Sequence, residues 1–130
     1  MTGSIMKTFG IFLVASSLAA PAFAAPDGKA LFAENCSACH QAAGEGIAGA
    51  FPALAKNKFV VGDPKLVAAT VLNGRGGMPA FRDSLKDDEL AATVSFVRSS
   101  WGNKAPPIPA ATFAAVRNGA MKVERPMPVH

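Results

Sequence analysis

Cysteine and histidine are nearly absent from this chain, and Cys36, Cys39, His40 and His130 are all it has of either. A zinc site with two cysteines and two histidines would need the adjacent pair Cys39 and His40 plus the last residue, without the spacing that closes a tetrahedron. A disulfide between Cys36 and Cys39 is open to an exported chain, but it gives His40 no part and closes too small a loop to stabilise much. Long apolar runs are also missing. The run near the start, Phe9 to Ala20, falls short of the about 20 residues that span a bilayer as a helix. No basic cluster stands out, and a net charge of +4 is mild, which argues against nucleic-acid binding. The glycine-rich stretch Ala43 to Ala50 has neither the Gly-Lys-Ser/Thr ending nor the preceding strand of a phosphate loop.

What is present is concentrated in Cys36-Ser37-Ala38-Cys39-His40. Two thiols separated by two residues can each add to a vinyl group of one porphyrin, and a histidine directly after the second is held beneath the ring, where its imidazole can bind iron. This adjacency points to one covalently attached haem, and it gives all three residues a task.

The start of the chain reads as an address rather than as structure. Lys7 is the only charge before Asp27, an apolar run follows it, and Ala22-Phe23-Ala24 has the small-x-small pattern before a signal-peptidase cut. We expect residues 1–24 to be a cleaved signal peptide, residues 25–104 a single-haem domain, and residues 105–130 a Pro-rich C-terminal extension. Met6 is as conventional a start as Met1. The expected location is the periplasm, with no membrane span in the mature chain.

Helix signals recur along the rest. Asp27 can cap a helix that runs into Cys36, with Gly28 and Phe32 on one face suited to a close helix crossing. Asp63 and Pro64 open a second helix with an apolar stripe of Leu66, Val67, Thr70 and Val71, closed by Asn73-Gly74. Leu85 to Trp101 reads as a third, with Asp87, Asp88 and Glu89 in its first turn and Phe96 as a partner for Phe32, though Lys86 is a poor cap. Beyond it, 105–109 is a stiff linker, 110–117 a short helix, and 121–130 weakly ordered. The fold class is all-α.

Two loops carry the remaining chemistry. In Phe51-Pro52-Ala53-Leu54, the Pro52 carbonyl can take the second N–H of the histidine ring, with Leu54 against the porphyrin; the alternative is an ordinary turn proline. In Gly74-Arg75-Gly76-Gly77-Met78-Pro79, Met78 is the methionine placed to be a second axial ligand. Met1 and Met6 leave with the signal, and Met121 and Met127 lie in the tail. Glycines allow close approach there, and Pro79 holds Met78 extended. Core filling is the competing use of Met78, and Arg75 can pair with a haem propionate or simply face solvent.

With these residues assembled, the chain resembles the small class I c-type cytochromes over about Asp27 to Asn103. The resemblance implies thioether bonds at Cys36 and Cys39, iron bonds at His40 and Met78, the Pro52 carbonyl orienting His40, and first and last helices crossing at Gly28, Phe32 and Phe96. The segments Phe51 to Leu54, Val71 to Gly74, Met78 to Phe81 and Val97 to Asn103 are similar to haem domains that accept electrons from periplasmic flavin- or quinone-dependent dehydrogenases. It implies an electron carrier rather than an enzyme, reduced by such a dehydrogenase and oxidised by an oxidase or another cytochrome. The small residues near Ala48 and Ala80 would surround the haem edge, rimmed by Lys56, Lys58, Arg75 and Arg82. Two other readings compete: a haem sensor or peroxidase if Met78 leaves the iron open, and a subunit fixed to a dehydrogenase by its tail.

Overall fold

The computed structural model describes Met1, Gly3 and residues 19–124. The expected apolar signal run, apart from its last two residues, lies outside the described residues, as do Met6, Lys7, Met127 and His130. Among the described residues no helix is long and apolar enough to cross a membrane. The architecture is all-α, with helices α1 (Gly28–Asn35), α2 (Ser37–His40), α3 (Pro64–Asn73), α4 (Asp87–Arg98) and α5 (Ala110–Arg117). Two isolated backbone bridges, Ile47 with Phe51 and Arg75 with Met78, are the only extended pairings among the described residues.

The first helix begins where Asp27 caps it, its carboxylate accepting from the N–H groups of Lys29 and Ala30 at 3.0 and 3.1 Å. It crosses α4 through Gly28. A Cβ built on Gly28 would overlap the carbonyl of Ala92 and lie 3.1 Å from Cβ of Phe96, so only glycine lets the two backbones touch. One turn on, Phe32 fills the space beside the contact, with its ring centroid 5.8 Å from that of Phe96 and 5.0 Å from that of Trp101. The crossing expected from Gly28, Phe32 and Phe96 is thus the crossing seen.

The ends of α4 differ in instructive ways. Lys86 offers no side-chain cap, and Glu89 takes over by reaching back to the Lys86 N–H at 2.8 Å. The helix closes at Arg98 rather than at Trp101. Ser99 and Ser100 turn their hydroxyls back to the carbonyls of Ser95 and Phe96 at 3.0 and 2.6 Å, and Trp101 then takes φ 53, which no α-helix continues.

Helix α4 is the spine between two apolar clusters. One holds Val67, Ala68, Ala69 and Leu72 of α3 with Leu90 and Val94 of α4 and Ile108, Phe113 and Val116. The other holds Phe32, Val60 and Val97, with Cys36, Leu54, Phe96 and Trp101 against it. The buried face of α3 is therefore centred on Ala68 and Leu72, whereas Leu66, Thr70 and Val71 of the expected stripe are half-buried. Small residues face in because α5 lies close against this side.

The expected boundary at 104 does not coincide with any break in packing. Phe113 is fully buried and Ile108 nearly so, each contributing about 1.5–3 kcal/mol of burial. Buried Arg98 crosses the boundary too, donating to the carbonyls of Pro106 at 2.9 Å, Val60 at 2.7 Å and Gly62 at 3.1 Å. Desolvation lowers its pKa, and the three carbonyls replace part of the lost hydration. Phe113 and Val116, apolar residues of the tail that the subunit reading would leave to a partner, are buried in the chain's own core.

Helix propensity alone makes Gly28→Ala stabilising by about 1 kcal/mol. The Ala92 contact predicts the opposite sign, a loss of about 2 kcal/mol. Denaturant unfolding beside Gly77→Ala, where the added methyl meets nothing within 4 Å, separates the two. A neutral or stabilising Gly28→Ala would mean that the crossing is not close.

Candidate functional site

Helix α1 does not stop at the cysteine motif but bends there. Cys36, at φ −124 and ψ −32, still donates its N–H to the Phe32 carbonyl at 2.9 Å and accepts from the His40 N–H at 2.9 Å. Helix α2 thus carries the motif directly off the end of α1. His40 closes it, buried to 9% exposure. Gln41 follows at φ 67 and ψ 161, a region almost reserved for glycine that costs on the order of 1–3 kcal/mol. This strained residue reverses the chain immediately after His40.

The reversed chain returns to the imidazole. His40 Nδ1 lies 2.9 Å from the Pro52 carbonyl oxygen. A carbonyl only accepts, so Nδ1 carries the proton and the lone pair is left on Nε2. Three features hold Pro52 at this distance. The Gly46 N–H donates to the His40 carbonyl at 2.9 Å. Ile47 and Phe51 exchange N–H···O bonds of 2.9 and 2.8 Å across the turn between them. Gly46 itself, at φ 63, has the Phe51 oxygen 2.5 Å and the Pro52 carbon 2.7 Å from where a Cβ would stand.

Below this loop, Gly44 lies on the ring of Trp101, with no room for a Cβ between them. Its carbonyl takes the N–H groups of Leu54 and Ala55 at 2.7 and 2.9 Å. The Leu54 carbonyl takes Nδ2 of buried Asn103 at 3.0 Å, and the same amide reaches the Val97 carbonyl at 2.9 Å. Leu54 packs half-buried against the Phe32, Val60 and Val97 cluster. Trp101 and Asn103 are supports of this loop that helix and turn signals did not reveal, since both follow the helix end and the loop residues they hold, Gly44 and Leu54, are more than 40 residues away in sequence.

The second loop repeats the plan. Gly74, at φ 72, has the Met78 oxygen 2.5 Å and the Pro79 carbon 3.0 Å from a Cβ position. Arg75 and Met78 exchange N–H···O bonds of 3.2 and 3.0 Å. A left-handed glycine, a backbone bridge and an apolar-Pro-Ala-apolar segment thus recur at Gly46 to Leu54 and Gly74 to Phe81. That repetition was visible in the sequence as Phe-Pro-Ala-Leu and Met-Pro-Ala-Phe. Met78 is half-buried. The Arg75 guanidinium lies 5.8 Å from the centroid of Phe59. Arg82, expected on a basic rim, is turned inward instead, donating to the Arg117 carbonyl and to Oδ1 of Asn73 at 2.8 Å each. Lys56 and Lys58 are exposed as expected.

His40 and Pro52 therefore meet directly, Cys36 and Leu54 share one apolar cluster, and Arg75 and Met78 share one turn on a separate loop. The donor set fits a haem. Cys36 and Cys39 are unpaired thiols, both partly exposed, beside an imidazole whose Nε2 is free to coordinate. Burial pushes the Cys36 thiol up from 9.0 to about 11, with Cys39 adding to the effect, so that thiol stays neutral through the physiological range. Ile47 and Phe51, at 45% and 39% exposure, leave apolar surface beside His40's loop.

Comparison with known proteins agrees. The family model described as cytochrome c oxidase, cbb3-type, subunit III matches residues 23–97. Cytochrome c6 of Leptolyngbya boryana is 39% identical over 77 residues, 57% of this chain and 88% of that protein. Cytochrome c-552 of Thermus thermophilus is 32% identical over 113 residues, 75% of this chain and 73% of that one. The cytochrome c subunit of a quinone alcohol dehydrogenase from Gluconobacter oxydans is 35% identical over 91 residues, 61% of this chain. This chain spans only 19% of that subunit's length and 22% of its counterpart in Komagataeibacter europaeus. Matched by a family model over more than half of its length and aligned with most of a cytochrome c6 and of a cytochrome c-552, the chain belongs to the class I c-type cytochromes.

Proposed function

We propose that this protein is a single-electron carrier of the periplasm, with one haem attached through Cys36 and Cys39 and its iron held by His40 and Met78. The observation that carries this reading is the 2.9 Å contact between His40 Nδ1 and the Pro52 carbonyl. It fixes both the tautomer and the ring orientation, and it makes the free Nε2 a stronger ligand. When bound, the haem supplies a one-electron iron couple. Its electronics are set by these residues. Donation from Nδ1 to Pro52 enriches the imidazole and favours oxidised iron, while the soft thioether of Met78 favours reduced iron and raises the potential. With His40 and Met78 both holding the iron, no open position would be left for a substrate, which is why a carrier is preferred to a sensor or peroxidase.

The electron donor we propose is a flavin- or quinone-dependent dehydrogenase, and the acceptor an oxidase or another cytochrome. The support is similarity to proteins named as cytochrome c subunits of a quinone alcohol dehydrogenase and of gluconate 2-dehydrogenase. The same similarity favours a second reading, in which this chain is itself held in a dehydrogenase complex. Gel filtration of periplasmic extract distinguishes the two, because a subunit elutes with dehydrogenase activity and a free carrier without it. The proposed docking face surrounds the loops at Ala48 and Ala80, with Lys56, Lys58 and Arg75 at its rim and Arg75 beside a propionate. These charges would steer encounter rather than hold the complex.

Three measurements follow from this assignment. Oxidised protein should be low-spin and show the weak sulfur-to-iron band at the red end of the visible spectrum, and Met78→Ala should lose it and gain carbon monoxide binding in the reduced form. A high-spin spectrum in the unaltered protein would favour the open-site reading. Gly46→Ala, which displaces the Pro52 carbonyl from His40, should raise the midpoint potential; an unchanged potential would mean that the hydrogen bond does not tune the iron. Neutral replacements of Lys56, Lys58 and Arg75 together should flatten the salt dependence of reduction by the dehydrogenase, and an unchanged rate at every ionic strength would move the docking face elsewhere.

A further inference from the structure

The segment between α3 and α4 carries Met78, and its two ends are gathered at one point by two arginines. Arg117, the last residue of α5, donates from Nε to Oδ1 of Asp87 at 2.8 Å. Its other nitrogens reach the Arg82 carbonyl and, at 3.0 Å, the Leu85 carbonyl. Arg82 answers by donating to the Arg117 carbonyl and, with its second nitrogen, to Oδ1 of Asn73. Asn73 ends α3 and Asp87 begins α4. The paired guanidinium groups therefore close the base of the loop from one helix to the next.

Elsewhere the loop has few anchors. Phe81 donates to the Val71 carbonyl at 3.0 Å and packs on the main core, whereas residues 75–77, Pro79 and Ala80 are exposed. A segment of this kind opens locally before the whole molecule unfolds unless something closes its base. Arg117 is well placed to do so because Val116 and Phe113, next to it in α5, are buried in the core. Its planar fork suits two carbonyls and a carboxylate at once, which an ammonium group cannot match.

We infer that Arg117, acting with Arg82, is the positioning residue that keeps the Met78 loop closed and so holds the Met78 sulfur on the iron, an inference that rests on the proposed Met78 ligation. Residues of the C-terminal segment thereby govern an axial ligand on a loop they do not belong to.

The test uses the full-length haem-loaded protein and two readouts during heating, the red-edge sulfur-to-iron band and the far-ultraviolet helix signal. In Arg117→Ala the band should disappear at a temperature lower relative to helix loss than in the unaltered protein, the gap widening by about 10 °C. Arg117→Lys should widen it by less, and where Arg117→Ala fails to accumulate, a widened gap in Arg117→Lys supports the inference in its place. If band and helix signal shift together in the variants, Arg117 only stabilises the fold and the inference is overturned while Met78 ligation stands. If the unaltered protein lacks the band, the ligation reading falls first and this one with it.

Discussion

The hydrogen bond between His40 Nδ1 and the Pro52 carbonyl is the contact on which the site is built. An imidazole on a short helix can rotate, and a rotated ring presents the wrong nitrogen to a metal. Tying Nδ1 to a carbonyl removes that freedom, but only if the carbonyl itself is immobile. The chain between them achieves this within a few residues, through the reversal at Gln41, the Gly46 bond back to His40 and the Ile47 to Phe51 bridge.

The immobility of that loop is in turn borrowed from the helix crossing. Trp101 presses on Gly44 from below and shares an aromatic cluster with Phe32 and Phe96, whose ring lies 5.6 Å from that of Trp101, edge to face. Asn103 ties the Leu54 carbonyl to the end of α4. The contact of α1 with α4 at Gly28 and the orientation of His40 are therefore two ends of one packed assembly.

The second loop uses the same local device with a different support. Gly74 plays toward Met78-Pro79 the part that Gly46 plays toward Phe51-Pro52. Its outer anchor, however, is the pairing of Arg82 in the loop with Arg117 at the end of α5 rather than an aromatic cluster. Ile108, Phe113 and Val116 fill the space against the small face of α3, and Arg117 follows directly.

Local chemistry was legible in the sequence. The cap at Asp27, the Asp63-Pro64 start, and Gly28 paired with Phe32 are all read within a few residues, because capping and helical periodicity act over that range. Long-range geometry was not legible. Arg82 looked like a free surface charge until α5 supplied a carbonyl for it. Of the stripe expected on α3, Val67 is buried, but Leu66, Thr70 and Val71 are only half-buried and Ala68, Ala69 and Leu72 take the inward places, because the approach of α5 makes small residues the inward ones. The turns at Gln41 and Trp101 had no signal, since neither residue type favours a positive φ. The sequence by itself determined where the helices begin and the order in which Cys36, Cys39, His40 and Met78 are offered to the proposed haem. The tertiary structure decided which nitrogen of His40 is free and which elements hold the Met78 loop, because those depend on contacts between residues that only folding brings together.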